Sequence, residues 1–420
     1  MDLERLAALA ERFTGGPVQV EPRRCLNVRH RDAGCRLCAE ACPVEAITVA
    51  EDPLAPVVPA GVVGVRSTSP AVTLDEEVCA NCGLCLRVCP TGVFSQPGAG
   101  EDRLRATVAA LPSGEPVELA CPLGAERRES RLPEGAVVAT PRCLAALDVP
   151  LLLTLALDGH SLWLNDALCA DCPLGAVQPA IVAAAQEANG WLGAFGRGVK
   201  VCTYTANPEG LLDRPRPVRP LAGEEVPVSR RDFFRALAGL VSQAAATVVA
   251  AGLPQVGEDL PQPMRGLPPK HVPAQRRRLQ AVWRRVGRFP GPVPTADLPI
   301  AALEVASDRC TACTLCARFC PTGALEFRDD EASFVLFFRA GLCVDCRLCL
   351  RVCPTEAITC GEQIAGHRLL AEEGESLVAG RLAPCRRCEA PTNADVGGGL
   401  CYVCLLRPDS LVGLRDLLGP

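Results

Sequence analysis

The sequence predicts an α+β multidomain chain: two modules built on a repeated cysteine pattern, a small α/β domain between them, and a C-terminal four-cysteine ribbon. Three observations lead there. The pattern C-x2-C-x2-C-x3-C-P is intact at Cys79–Pro90, Cys310–Pro321 and Cys343–Pro354, and a stretched copy runs from Cys25 to Pro43. Between residues 101 and 210, apolar runs of strand length alternate with helical stretches, which argues for a parallel sheet. Near the end, two C-x2-C pairs stand twelve residues apart. The expected divisions are an N-terminal helix at 1–22, module one at 23–100, the α/β domain at 101–210, a Pro/Arg-rich connector with helices at 211–300, module two at 301–367, and the ribbon at 380–408.

Each repeated motif has the same physical logic. Three cysteines on a tight loop can converge on one metal group, and proline after the fourth favours a helix start. The octapeptide LCLRVCPT occurs at Leu84–Thr91 and again at Leu348–Thr355, so duplication explains the pair of modules. This spacing resembles that of bacterial dicluster ferredoxins, which hold [4Fe-4S] clusters and pass the fourth cysteine of each motif to the other cluster. The resemblance implies that Cys310, Cys313, Cys316 and Cys353 hold one cluster and Cys343, Cys346, Cys349 and Cys320 another. In module one it implies Cys79, Cys82, Cys85 and Cys42 for one cluster, and Cys35, Cys38, Cys89 and Cys25 for the other. Zinc is the alternative, but zinc sites do not need a triple plus a remote fourth ligand.

Module one departs from the pattern. Nine residues (LNVRHRDAG) separate Cys25 from Cys35 where two are usual. The insert is polar and ends in glycine, so it reads as a loop bulging out of the binding turn. Two alternatives stay open: ligation by Cys25, or a three-cysteine site. His30 could substitute as a ligand or stand as a solvated loop residue.

The α/β domain carries cysteines at strand ends. Cys121 follows Val117–Ala120, Cys143 follows Ala136–Ala139, and Cys169 and Cys172 follow Ser161–Leu164. In an open parallel sheet these ends share one edge, where ligands bind. Four thiolates meeting there suit a fifth iron–sulfur cluster, with zinc or plain core packing as alternatives. Cys202 would be a spare on the same edge, and Cys360 reads as packing. The elements expected here are helices at Leu144–Leu157 and Val177–Leu192 and a last strand at Val199–Thr203. The CP…PRC…CADC cysteines Cys121, Cys143, Cys169 and Cys172 resemble those of the small delta subunit of hydrogenase–heterodisulfide reductase complexes. That resemblance implies electron transfer between a hydrogen- or formate-oxidising partner and a reductase.

Other stretches are less specific. Met1–Phe13 reads as an amphipathic helix rather than a signal peptide. SRRDFFRALAGL from Ser229 is similar to a twin-arginine export signal, yet its mid-chain position favours an ordinary helix, with a membrane-surface segment as the alternative. Gln275–Phe289 reads as a basic helix, either solvated or a docking face for an acidic partner. Ala332–Arg339 reads as a strand, and Gly366–Gly380 as a helical or looped spacer. The pairs Cys385/Cys388 and Cys401/Cys404 read as a structural zinc site, with a rubredoxin-like iron centre as the alternative.

Of 26 cysteines, the motifs use sixteen and the ribbon four. That arrangement is no disulfide scaffold, and thiolates awaiting metal need a reducing compartment, so a cytoplasmic location is expected. The formal net charge of −5 counts cysteines as neutral; four cubanes would add about −8. Arg36, Arg87, Arg318, Arg347 and Arg351 inside the motifs could offset part of this, or simply be solvated. No G-x-G-x-x-G fingerprint of a flavin or nicotinamide site is present. The expected function is therefore iron–sulfur electron transfer, as a polyferredoxin subunit of a cytoplasmic oxidoreductase complex. Its expected redox partners are hydrogenase-, formate dehydrogenase- or heterodisulfide reductase-like, and no nucleic acid is expected. The alternatives are a reductase working at the middle-domain cluster and an iron–sulfur redox sensor with the ribbon as output. Whether the chain is itself an enzyme stays open at this point.

Overall fold

A computed structural model of the chain describes residue 13 and residues 16–50, 71–96, 100–222, 267–296 and 298–406. The expected N-terminal helix, the proline-interrupted stretch after Glu51 and the twin-arginine-like segment lie outside the described residues. In module one, the short helices α1 (Leu37–Ala41) and α2 (Leu84–Val88) each follow a cysteine loop, and β1 (Ile47–Val49) pairs antiparallel with β2 (Val72–Leu74). Ile47, Val49 and Val72 are buried and Thr48 and Thr73 exposed, the alternation of a half-buried ribbon.

After α3 (Glu101–Ala109) the chain builds a five-stranded, wholly parallel sheet. Its strands are β3 (Val117–Ala120), β4 (Ala136–Ala139), β5 (Leu162–Leu164), β6 (Val201–Thr203) and β7 (Leu221–Ala222), in the order β7-β4-β3-β5-β6. The central strand β3 is buried throughout, as expected of a parallel sheet covered on both faces. Its one polar residue, Glu118, is fully buried and satisfied: Tyr204 Oη donates at 2.6 Å, Asn165 Nδ2 at 2.6 Å, and Ser130 Oγ also donates. The sheet runs past residue 210, because β7 comes from the stretch read as connector.

Two helices cover the sheet. α4 (Val149–Leu157) is apolar nearly all round and buried; Asp148 caps it by accepting from Leu151 N at 2.9 Å. The expected helix from Leu144 is instead a 3-10 turn at Leu144–Ala146, and Pro150 then sits in the first turn of α4, where a missing N–H costs nothing. α5 (Gln178–Ala194) presents Ile181, Ala184, Ala185, Ala188, Trp191 and Leu192 to the core.

The basic helix, α6 (Ala274–Val286), is neither a solvated face nor a free docking face. Arg276, Leu279, Val282 and Trp283, spaced three and four apart, are buried. Trp283 meets Trp191 of α5 with ring centroids 5.2 Å apart. Two of the remaining arginines find acids on the α/β part: Arg278 pairs with Asp148 and, at 3.6 Å, with Glu101, and Arg285 pairs with Asp158 at 2.7 Å. The helix thus fastens the α/β part to module two, where Gln280 Nε2 donates to Gly341 O at 3.0 Å.

Module two contains β8 (Ala302–Val305), α7 (Leu315–Phe319), β9 (Leu325–Asp329), β10 (Ser333–Phe338), α8 (Leu348–Arg351), β11 (Ile358–Gly361) and α9 (Gly366–Leu370). β8 pairs with β11. The stretch after Gly366 is not only a spacer: beyond α9 it forms the ten-residue strand β12 (Glu375–Pro384), which pairs with β10. β13 (Pro391–Asn393) adds to β12, so the C-terminal cysteines hang on the sheet of module two, in the order β9-β10-β12-β13.

Candidate metal centres

The cysteines of module two line two separate cavities. One has Cys320, Cys343, Cys346 and Cys349 in its wall; the other has Cys310, Cys313, Cys316 and Cys353. Each cavity takes three cysteines from one motif and the fourth from the other. The loops turn through left-handed residues just before and just after the second cysteine: Ala312 and Thr314, Asp345 and Arg347, and in module one Asn81 and Gly83. Left-handed backbone is costly for ordinary side chains, and its recurrence at matched positions shows that the loop is held in one shape. In the stretched motif, Gly34 keeps the position before Cys35 left-handed at φ 54°, but Arg36 after it stands at φ −129°, so only the first half of the turn is retained.

In module one, Cys25 is buried within electrostatic reach of Cys35, Cys38 and Cys89, while Cys42 stands in the same relation to Cys79, Cys82 and Cys85. Burial pushes the Cys25 thiol up to about 12, and burial together with neighbouring thiols pushes Cys38, Cys82 and Cys346 up to about 11. Apolar burial disfavours a lone thiolate, so these groups ionise as metal binds and protons leave. His30 is not among these neighbours. Its ring meets Phe319 edge-on at 4.9 Å, and its Nδ1 accepts from Asp32 N at 3.2 Å.

The insert does not bulge into solvent. Leu26, Asn27, Val28, Arg29 and Ala33 are buried, and Leu26 and Ala33 pack with Leu348 and Val352 of module two. Asn27 braces the turn by accepting from Cys35 N and donating to Cys35 O, both at 2.9 Å. Cys35 and Cys346 border this same contact, which brings a module-one site beside a module-two site.

In the α/β part, Cys121, Cys143, Cys169 and Cys172 line one cavity, together with Asn165 and apolar side chains including Phe13 and Ile181. They sit beyond the ends of β3, β4 and β5. Cys202 pairs in register with Trp163 within the sheet and is not in this wall. The 3-10 turn after Cys143 leans on the module-one loop, where a Cβ on Gly83 would stand 2.7 Å from Ala146 Cβ. Cys360 lines the cavity of Cys320, Cys343, Cys346 and Cys349 and donates to Gly361 O at 3.7 Å.

The C-terminal site has a different geometry. The sulfurs of Cys385, Cys388, Cys401 and Cys404 all lie within 4.8 Å of one another. Thiolates about 2.3 Å from one ion stand about 3.8 Å apart in a tetrahedron, so this set fits a single ion and is too tight for a cubane. Burial raises the Cys385 thiol, but the backbone N–H groups of Cys401, Arg387 and Cys388 outweigh it and bring the group down to about 6. The site is tied to module two: Asn393 Nδ2 donates to Cys310 O at 2.9 Å, Asn393 N to Thr311 O at 3.2 Å, and Thr392 Oγ1 to Thr311 O at 3.2 Å.

Residues 33–93 and 309–357 match the family model of a 4Fe-4S dicluster domain. The chain therefore contains two dicluster [4Fe-4S] segments, and its chemistry is iron–sulfur electron transfer. The two four-sulfur walls of module two fit such clusters, while Cys25 lies outside the matched residues of module one. No curated protein matches the chain. Among the described residues, no helix is long and apolar enough to cross a membrane.

Several contributing residues escaped the sequence reading. Thr91, Thr322 and Thr355 each place Oγ1 3.7 to 3.9 Å from the sulfur of the cysteine two residues earlier, and the recurring C-P-T was the available signal. Among the motif arginines, Arg36, Arg318, Arg347 and Arg351 are exposed, and partly buried Arg87 donates to Ala180 O at 2.7 Å. Of the buried arginines near the cysteines, Arg142 and Arg276 lie outside the four-cysteine motifs and Arg29 lies in the insert of the stretched one.

Proposed function

We propose that the chain is a five-cluster electron relay, a polyferredoxin subunit of a cytoplasmic oxidoreductase complex. The observation that carries this is the cavity lined by Cys121, Cys143, Cys169 and Cys172. It gathers four cysteines in one wall as each module-two site does, and those cysteines are not drawn together as the C-terminal set is. A fifth iron–sulfur cluster suits four sulfurs so spread better than one zinc ion does. The ligands in the two modules are those assigned by motif, Cys25 included, and zinc occupies the C-terminal site.

The contacts string the sites in one order. The middle site touches module one through Arg142, Cys143 and the Gly83 loop, and module one touches module two through the Leu26–Ala33 insert. One electron entering at either end is handed on by the clusters; the protein supplies ligands, spacing and a low dielectric. The likeness of the middle cysteines to the delta subunit of hydrogenase–heterodisulfide reductase complexes supports a hydrogen- or formate-oxidising donor and a reductase acceptor. A sensor reading draws support from one observation, the bonds from Asn393 and Thr392 to the Cys310 loop.

The test is Cys143→Ser with Cys169→Ser in the full chain, purified anaerobically. Iron content should fall by about four per chain, the content of one cubane. Unchanged iron and an unchanged paramagnetic spectrum of the reduced protein would refute the fifth cluster.

A further inference from the structure

Two arginines from outside module two are buried against one of its sites. Arg29 belongs to the module-one insert and is 3 % exposed; Arg276 belongs to α6 and is 4 % exposed. Arg29 Nη2 donates to Pro269 O at 2.7 Å, and two residues on, His271 N donates to Pro321 O at 2.8 Å, directly after Cys320. On the other side of the same cysteine, the His30 ring rests on Phe319. The insert meets one flank of Cys320 directly and the other through the 269–271 stretch that Arg29 holds, and the Arg29 guanidinium is within electrostatic reach of Cys320 and Cys346. Arg276 approaches from α6: it donates to Pro299 O, lies over Trp283 at 5.3 Å, and is within reach of Cys343.

Neither guanidinium is fully satisfied. Arg29 Nε and Arg276 Nη1 are buried without a hydrogen-bond partner. A buried cation without a matching anion is costly, and it needs compensation from negative charge nearby. Acids do face Arg276, namely Glu187 and Asp345. Asp345 is itself engaged by Arg347 at 3.3 Å, and burial pushes Glu187 up to about 7, leaving it half neutral at neutral pH. An anionic cluster between the two guanidinium groups supplies what is missing, and one more electron there is stabilised further.

The other sites have less. Arg142 near Cys82 and Cys85 faces Glu101. Arg351, which donates to Ala33 O near Cys35, is exposed and screened by water. Net charge and exposure are among the factors that set iron–sulfur potentials.

We propose that Arg29 and Arg276 make the site of Cys320, Cys343, Cys346 and Cys349 the electron-collecting station of the chain, with a reduction potential above those of the neighbouring clusters. The inference rests on the cluster-relay reading. It gives the insert after Cys25 a role beyond ligation: it welds the modules together and carries a charge that pulls electrons across the weld.

The experiment is a redox titration of the full, cluster-loaded chain followed by paramagnetic resonance. In Arg29→Gln, one cluster should shift to lower potential by about 59 mV, equal to about tenfold in its one-electron equilibrium, with the other clusters unmoved. Arg29→Lys should restore the value, and Arg276→Gln should lower the same cluster. A second measurement needs no arginine variant. When the unmodified chain takes up less than one electron, the first signal should be the one that Cys320→Ser alters. An unmoved potential in a cluster-loaded Arg29→Gln chain, an equal shift in the lysine variant, or a first signal insensitive to Cys320→Ser would each overturn the assignment. A colourless unmodified chain would overturn the relay reading itself, and this inference with it.

Discussion

The C-terminal site and the cluster site at Cys310 should not be independent, and Asn393→Ala tests the link. The substitution removes the bond from Asn393 Nδ2 to Cys310 O and the bond that Asn393 Oδ1 accepts from Asp395 N at 3.2 Å. The backbone bond to Thr311 O stays. A carbonyl left without its partner in a partly buried loop costs about 1–3 kcal/mol. Taking about 1.4 kcal/mol, the Cys310 loop opens about tenfold more often. The assay is bleaching of the oxidised, anaerobic protein by an iron chelator, read as visible absorbance. One kinetic phase, with the amplitude of a single cluster, should quicken about tenfold while the others hold. Stripping the C-terminal metal from unmodified protein should quicken the same phase, because β13 and the loop before Cys401 are then free to move. Identical phases in variant and parent, or equal acceleration of every phase, would refute the coupling.

Two further outcomes follow from the core. Trp283→Ala empties a fully buried position where α6 meets α5; the loss should be ~3–5 kcal/mol in denaturant unfolding of the loaded chain, and a change below about 1 kcal/mol would contradict the keystone role of α6. Glu187 has its carboxyl raised by burial to about 7, with Arg87 and Arg276 pulling it back. A raised carboxyl binds its proton more tightly in the folded chain, so the stability it contributes is complete below about 4.5 and is lost as pH rises through about 7. Compared with Glu187→Gln, the parent should lose melting temperature between pH 5 and pH 8, and parallel pH curves for the two proteins would refute this.

What could be read in the letters was local. Cysteine spacing marks the metal loops because ligand geometry acts over a dozen residues. The runs VELA and AVVA are strands in the structure with the same bounds as in the sequence reading, since a strand buried on both faces is mostly apolar and Glu118 alone needs partners supplied from elsewhere. What misled was long-range. LNVRHRDAG looks like a solvated loop because its apolar partners, Leu348 and Val352, lie more than three hundred residues away. The arginines of α6 look like a free basic face until Asp148, Glu101 and Asp158 arrive from the α/β part. The stretch 375–384 has no strong strand signature of its own; β10 on one side and β13 on the other draw it into the sheet.

The position of α6 in the chain bears on biosynthesis. Apart from Pro299, the surfaces that α6 joins are made either well before it or well after it: α4 and α5 precede it by about a hundred residues, and Gly341 follows it. On the ribosome, the first module and the α/β part emerge with the Trp191 side of their core still wet, and Arg29 has no Pro269 to hold. Domains fold as units during synthesis, in order from the N-terminus. Here the first unit waits for a latch that leaves the exit tunnel some eighty residues after Val201. Over that interval Leu26 and Ala33 of the insert also lack Leu348 and Val352, their partners in the second module.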